Sequence, residues 1–314
     1  IRQIKQVAAS FDNDSKGAYE NLVPPQAMLN CRRLGLPRTA AIMLTTILNN
    51  AIYKLKSGHG LSARTYMSNA LRRILGTGQG SCASPSIWVA VLDPVLWSIA
   101  NKYVCFKFTT PDGKEISRIG DTYVDDTALM CLSQDPNFSN KHAAINLSKH
   151  MEAIAQDFER KLFSTGGSLS LPKCFWYLIS WQWHKDGSPT MHNMQDTPAD
   201  ILLTQGYNMT NKATIKRFEY DWARRTLGCH ICPKGNVTHK DPTADTEYSV
   251  KHTLAINWAI SVNAANLNRQ EAHMAYHGVL QAQLGYSLGT TTFTNQQLQP
   301  IQTIIDQAYK PKIG

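Results

Sequence analysis

The sequence predicts an α+β protein in two parts: strands mixed with helices over residues 1–196, then a mainly helical region over 197–314. Three observations point there. Short β-prone runs alternate with turn residues, and two of them end on acids. The segment 139–163 carries an apolar stripe of helical period, Leu147, Met151, Ile154, Phe158 and Leu162. After about residue 196 the composition shifts, and the segments near 211–227, 249–285 and 295–308 read as helices.

The elements follow in order. Residues 4–11 are β-prone and run into Asp12-Asn13-Asp14, a strand that delivers carboxylates at its C-terminal end. Pro24-Pro25 opens a helix, since Pro is tolerated in a first turn, and Gly35-Leu36-Pro37 closes it. A second apolar segment runs from Arg38 to Leu55 and breaks at Gly58-His59-Gly60; residues 61–75 carry no clear period and lean to strand. Gly76 to Gly80 is a turn, and Ser84-Pro85 starts a long apolar helix, Ile87 to Val104, that Pro94 should kink. Pro111-Asp112-Gly113 turns between strands at Val104–Thr109 and Glu115–Gly120. Tyr123 to Thr127 reads as a hairpin with Asp125 and Asp126 at its tip. The 139–163 helix ends at Gly166-Gly167. Cys174–Trp183 alternates as a strand, turned back at Lys185-Asp186-Gly187. In the last helix Leu298, Ile301, Ile305 and Ala308 share a face.

Of 314 residues, 43% are hydrophobic and 18% charged, which is globular composition. No apolar run approaches the ~20 residues of a membrane-spanning helix. The net charge is +9, and its distribution says more than its total. Between Glu20 and Asp93 there is no acid, while Arg32, Arg33, Arg38, Lys54, Lys56, Arg64, Arg72 and Arg73 fall there. Such a surface attracts polyanions and gains by counterion release. The seven cysteines are odd in number and scattered, which argues against a small disulfide scaffold and fits a reducing, intracellular (nuclear or cytoplasmic) setting better than a secreted one. Cys229, Cys232 and His239 supply at most three zinc ligands where a structural site needs four. No Gly-x-Ser-x-Gly elbow and no P-loop occurs. The chain opens on Ile1-Arg2-Gln3-Ile4 without an initiator Met and reads as an internal fragment.

The adjacent carboxylates of Asp125 and Asp126 repel, each raising the pKa of the other. Water solvates such a pair in an exposed turn; a hard divalent cation offsets it in a site. A third acid on a neighbouring strand, Asp14, would complete a place for two ions ~3.5–4 Å apart.

Four short blocks stand in a telling order: Phe11 to Tyr19, with Tyr19 five residues after Asp14; Gly78-Gln79-Gly80 leading to Ser84-Pro85; Tyr123-Val124-Asp125-Asp126; and Gly167 to Lys173. Together they resemble a reverse transcriptase, above all those of non-LTR retrotransposons and related retroelements. The resemblance is specific over about residues 5–185. It implies a polymerase palm at 1–196, an antiparallel sheet backed by helices, and a helical thumb-like region at 197–314. It implies RNA-directed DNA synthesis, with an RNA template, a DNA primer and dNTPs as partners. Asp14, Asp125 and Asp126, with the Ser15 carbonyl, would hold two Mg²⁺ ions, for which Mn²⁺ can substitute. Tyr19 would exclude a ribose 2′-hydroxyl. Gln79 and Gly80 would position nucleotide or template, and Lys173 would sit near the triphosphate. Trp181 and Trp183 would lie on a hairpin that grips the primer. Glu20 stands where the family usually has Asp. The family's triphosphate-clamping fingers would lie upstream of Ile1, so this stretch alone is expected to polymerise poorly. Two alternatives stay open: an RNA-dependent RNA polymerase, which usually has Gly before the Asp pair and lacks the bulky gate, and a truncated palm that binds nucleic acid without catalysis.

Overall fold

The computed structural model describes residues 6–69, 75–78, 81–133 and 141–314. The chain starts with β1 (Ala8–Asp14), which carries on through the acids rather than stopping before them. α1 (Pro24–Arg33) has both prolines in its first turn. α2 (Arg38–Asn49) ends well before Leu55; Ala41 is its one buried residue, so no core contact extends it. β2 (Ile52–Tyr53) then pairs with β5 (Tyr66–Met67), enclosing the small hairpin β3 (Lys56–Ser57) and β4 (Gly60–Leu61). α3 (Ser84–Lys102) runs on through Pro94. β6 (Phe106–Thr109) and β7 (Glu115–Arg118) form a hairpin, as do β8 (Gly120–Tyr123) and β9 (Asp126–Leu132). The amphipathic helix is α4 (Lys141–Ser164).

Beyond a 3₁₀ turn at Leu171–Lys173, the expected single strand Cys174–Trp183 is two strands, β10 (Phe175–Ile179) and β11 (Trp181–Trp183). Phe175 to Leu178 are all buried, so β10 is covered on both faces and its apparent alternation is not real. β11 pairs with β12 (Pro189–Met191). Next come β13 (Ile201–Gln205) and β14 (Asn208–Arg217), then the hairpin β15 (Arg224–Thr226) and β16 (Cys229–Ile231). The helical expectation for 211–227 is therefore corrected. Ala213, Ile215 and Arg217 turn inward at a period of two, which is a strand period. α5 (Glu247–Ala264), α6 (Arg269–Ala275), a π-helical turn Tyr276–Leu280, α7 (Gln281–Gly285) and α8 (Asn295–Ile313) complete the chain.

The fold is α+β, with a six-stranded sheet in the order β13-β14-β10-β1-β9-β8. All its pairings are antiparallel except the short parallel contact of β10 with β14. On β1 the odd residues Val7, Ala9, Phe11, Asn13 and Ser15 are buried at 0–5% exposure, while Ser10, Asp12 and Asp14 face the other side. The stripe of α4, from Leu147 to Leu162, packs into the same core as Phe11, Leu129 and Trp176. The polar side of α4 has a separate task. Glu152, Gln156 and Glu159 accept the backbone N–H groups of Leu202, Thr204 and Gly206, each at 2.8 Å. They cover the sheet edge at β13 that would otherwise offer bare donors.

The chain divides into compact units Ile1–Phe218 and Glu219–Gly314. The division lies past residue 196 because β13 and β14 belong to the sheet. In the second unit α5 and α8 enclose Ala255, Trp258, Val262, Ile301, Ile305 and Ala308. Its hairpin is tied down by the fully buried Glu247, which accepts the His230 N–H at 2.7 Å and pairs with Lys251 at 3.4 Å. No helix of the described residues is long and apolar enough to cross a membrane.

Phe158, fully buried, is expected to anchor the first unit. Phe158→Ala should cost about 3–5 kcal/mol in urea unfolding; a loss under ~1 kcal/mol would show that α4 does not carry the sheet.

Candidate active site

The acids meet through strand register. Asp14, last in β1, stands directly opposite Asp126, first in β9. Direct opposition puts both side chains on one face of the sheet. Tyr123 pairs with Asp126, so the hairpin tip is Val124-Asp125 alone, and Asp126 is already strand. Val124 has φ +58°. A β-branched residue in the left-handed region costs of order 1–3 kcal/mol and persists only where its surroundings enforce it. The tip is held in that shape, with Asp125 set beside Asp126.

Asp14 is gripped on its other flank as well. Ser170 N–H donates to the Asp14 carbonyl and Lys16 N–H to the Ser168 carbonyl, both at 2.8 Å, around the bridge Ser15–Leu169. In that non-hydrogen-bonded pairing the Ser15 carbonyl points away from Leu169 and stays free of this ladder. The following 3₁₀ turn brings Lys173 Nζ to 3.0 Å from Asp14 Oδ2.

The Tyr19 segment is fixed by the glycine loop. Gly76 N–H donates to Leu22 O at 2.7 Å and Thr77 N–H to Tyr19 O at 2.8 Å. Gly76 has φ +93°, and a Cβ there would overlap the Tyr19 carbonyl, so both conformation and space demand glycine. Ser84 Oγ, from the first residue of α3, holds the loop through the Thr77 and Gly78 carbonyls at 3.2 and 2.9 Å. Gln79 and Gly80 lie outside the described residues.

The electrostatics follow from this crowding. Burial pushes the Asp126 carboxyl up, and the charges of Asp125 and Asp14 push it further, against an opposing pull from Lys173. Lys173 is raised, first by its bond to Asp14 and then by Asp125 and Asp126. The Tyr19 phenol is raised by burial and, less, by the charge of Asp125. Among the described residues no three His, Cys, Asp or Glu side chains close on one point; Asp14 is turned to Lys173 instead.

Two placements could not be read from spacing. Asp12 shares the outward face with Asp14 but stands opposite Ala128, takes a 2.8 Å bond from Ser10 Oγ, and is pushed up to about 6, mostly by burial. Trp181 and Trp183 are on the separate β11–β12 hairpin. That hairpin starts past Ile179, whose partner is Ala8, six residue steps from Asp14. At ~3.4 Å per step this is roughly 20 Å along the sheet.

No protein-family model and no curated protein matches the chain. Among solved structures it is similar to telomerase from Candida tropicalis in complex with a TWJ fragment of telomeric RNA, with TM-score 0.39 and 12% identity over 98% of this chain and 40% of that one. The corresponding Candida albicans complex gives TM-score 0.30 and 13% identity, covering 98% and 44%. Telomerase from Candida tropicalis without RNA gives 0.35 and 10%, covering 98% and 46%. The chain thus spans less than half the length of each of these proteins.

The raised Asp12 makes stability depend on pH. A carboxyl at about 6 against an ordinary 3.8 keeps its full contribution below pH 4 and loses it as pH rises through 6. Asp12→Asn should therefore match the wild type near pH 4 and exceed it by up to about 3 kcal/mol at pH 8. Urea unfolding at both pH values checks this; an equal gap at both would mean that Asp12 is solvated.

Proposed function

We propose that this chain is the catalytic part of an RNA-directed DNA polymerase, adding deoxynucleotides to the 3′-end of a DNA primer on an RNA template. The observation that carries the reading is the register of β1 on β9. It brings Asp14 from one sequence block beside Asp125 and Asp126 of another, with Lys173 of a third bonded to Asp14. The finer assignment to the non-LTR retroelement type rests on the four sequence blocks. In this reading residues 1–196, joined by β13 and β14 of the same sheet, are palm and primer-gripping hairpin, and the rest of 197–314 is a thumb-like region.

The donor set suits a hard divalent cation. Asp14 bonds Lys173, and Asp126 is raised by burial and then by the charges of Asp125 and Asp14. Asp14, Asp125 and Asp126, with the Ser15 carbonyl, would hold two Mg²⁺ ions, or Mn²⁺ in their place. Bound there, such ions activate a 3′-hydroxyl and stabilise a leaving pyrophosphate. The remaining work belongs to the chain. Tyr19 crowds the 2′-position and so favours dNTPs. Lys173 is 68% exposed, free to leave Asp14 for the triphosphate, where it would give a proton to the departing pyrophosphate. Gln79 and Gly80 would position nucleotide or template. The basic residues of the acid-free stretch that lie in the described part, Arg32, Arg33, Arg38, Lys54, Lys56 and Arg64, are all exposed, which suits a polyanionic template. Trp181 and Trp183 would meet the primer behind its 3′-end.

In the intact protein, Asp125→Asn should cut dNTP incorporation at least about a thousandfold, ~4 kcal/mol of barrier, and leave primer–template binding within about twofold. Undiminished extension would remove Asp125 from the site. A wild type that binds in a salt-sensitive way without turnover, even in Mn²⁺, would leave a non-catalytic palm. Tyr19→Val should raise rNTP use relative to dNTP at least about tenfold; a wild type that already prefers rNTPs would mark an RNA-dependent RNA polymerase.

A further inference from the structure

The second compact unit holds a cluster of side chains that the proposed polymerase chemistry does not use. His273 lies in α6, and His277 follows four residues on, in the π-helical turn. Both are exposed, with ring centroids 4.2 Å apart and planes inclined at 54°. π turns are rare and recur at functional sites.

Each ring already has one nitrogen engaged. His277 Nδ1 lies 2.6 Å from Gln281 Oε1, and His273 Nδ1 lies 3.0 Å from the Tyr309 hydroxyl. An amide oxygen only accepts, so His277 Nδ1 carries the proton and Nε2 keeps its lone pair. The phenol oxygen can accept from His273 in the same way, leaving that Nε2 as an acceptor too. This is the pattern of metal-binding imidazoles: one nitrogen donates to an outer partner that fixes the ring, and the other coordinates. The outer partner of His273 is itself fixed. Tyr309 stacks on Tyr276 at 4.7 Å and 22°, and both rings pack against Trp258 in the core of the unit.

We propose that His273 and His277 form a two-imidazole site for a borderline divalent transition metal, Zn²⁺ in particular, with water in the remaining positions. Nitrogen donors select such an ion over Mg²⁺ or Ca²⁺. With no third His, Cys, Asp or Glu closing the set among the described residues, the site is open and its ion exchangeable. The site rests on unit 2 alone and stands whether or not the acids of unit 1 polymerise DNA.

The test is calorimetric titration of the full chain with ZnCl₂, alongside Co²⁺ as a spectroscopic probe of nitrogen ligation. A single Zn²⁺ event is expected, weakened at least tenfold by His273→Ala or His277→Ala and several-fold by Tyr309→Phe. It should persist in millimolar Mg²⁺ and in Asp14→Asn/Asp125→Asn. Circular dichroism in EDTA should show the histidine variants folded, as exposed positions allow. A wild-type titration matched by His273→Ala/His277→Ala would overturn the proposal, as would Zn²⁺ binding lost with the acids instead.

Discussion

The whole candidate site hangs on one strand pairing, β1 against β9. A strand has a side-chain period of two, so a slip of one residue would turn Asp14 into the core and bring Asn13 out. What fixes the register is apolar. Val7, Ala9 and Phe11 are driven inward against α4, and Leu129 and Cys131 of β9 join them. Hydrophobic burial at one end of the strand thereby decides which carboxylates face each other at the other end. The inward row changes character as it nears the acids: Asn13, Ser15 and Thr127 are buried in place of apolar residues. The same side of the sheet thus passes from packing to polar support within one strand.

Around that pairing, the loops are held mainly by backbone rather than side chains. Residues 168–170 bond to 14–16 through main-chain groups, and Gly76-Thr77 to the Tyr19–Leu22 turn likewise. Such contacts tolerate almost any side chain except where the backbones meet most closely. There glycine is required, as at Gly76, and again at Gly166, where φ is +95° and a Cβ would overlap the Asn21 carbonyl. The Gly-Gly pair after α4 is therefore more than a helix stop. It lets the chain pass tightly against Asn21 and Val23 before the segment that carries Lys173.

What the sequence made legible was what repeats or punctuates. The 3.6-residue stripe of α4, the prolines opening α1 and α3, and the paired acids after Tyr123 all read directly. Contacts between distant segments did not. Residues 211–217 hold polar and β-branched residues in an order too weak to outvote a helix, and they become a strand because β13 offers them a partner. β10 hid its nature by being buried on both faces. The edge-capping by Glu152, Gln156 and Glu159 looks in sequence like the ordinary solvated face of an amphipathic helix. Asp12 was separable from Asp14 by its spacing to Tyr19, yet its burial and raised pKa depend on neighbours from three strands that no local pattern specifies.

The electrostatic balance explains why Asp14 is bonded to Lys173 while its charge still acts on Asp126. Lys173 is 68% exposed and Asp14 23% exposed, and water screens pairs of that kind so that they contribute little. The pair therefore competes poorly with any ligand that meets several carboxylates at once. Asp125 sits at the tip, where Val124 is already strained, and Asp126 stands next to it in the strand under the charges of Asp125 and Asp14. Here the strain at the hairpin tip and the like charges beside it act together, each raising the energy of the arrangement. Their coexistence is the physical ground on which the proposed function treats these acids as a binding group rather than as solvated turn residues.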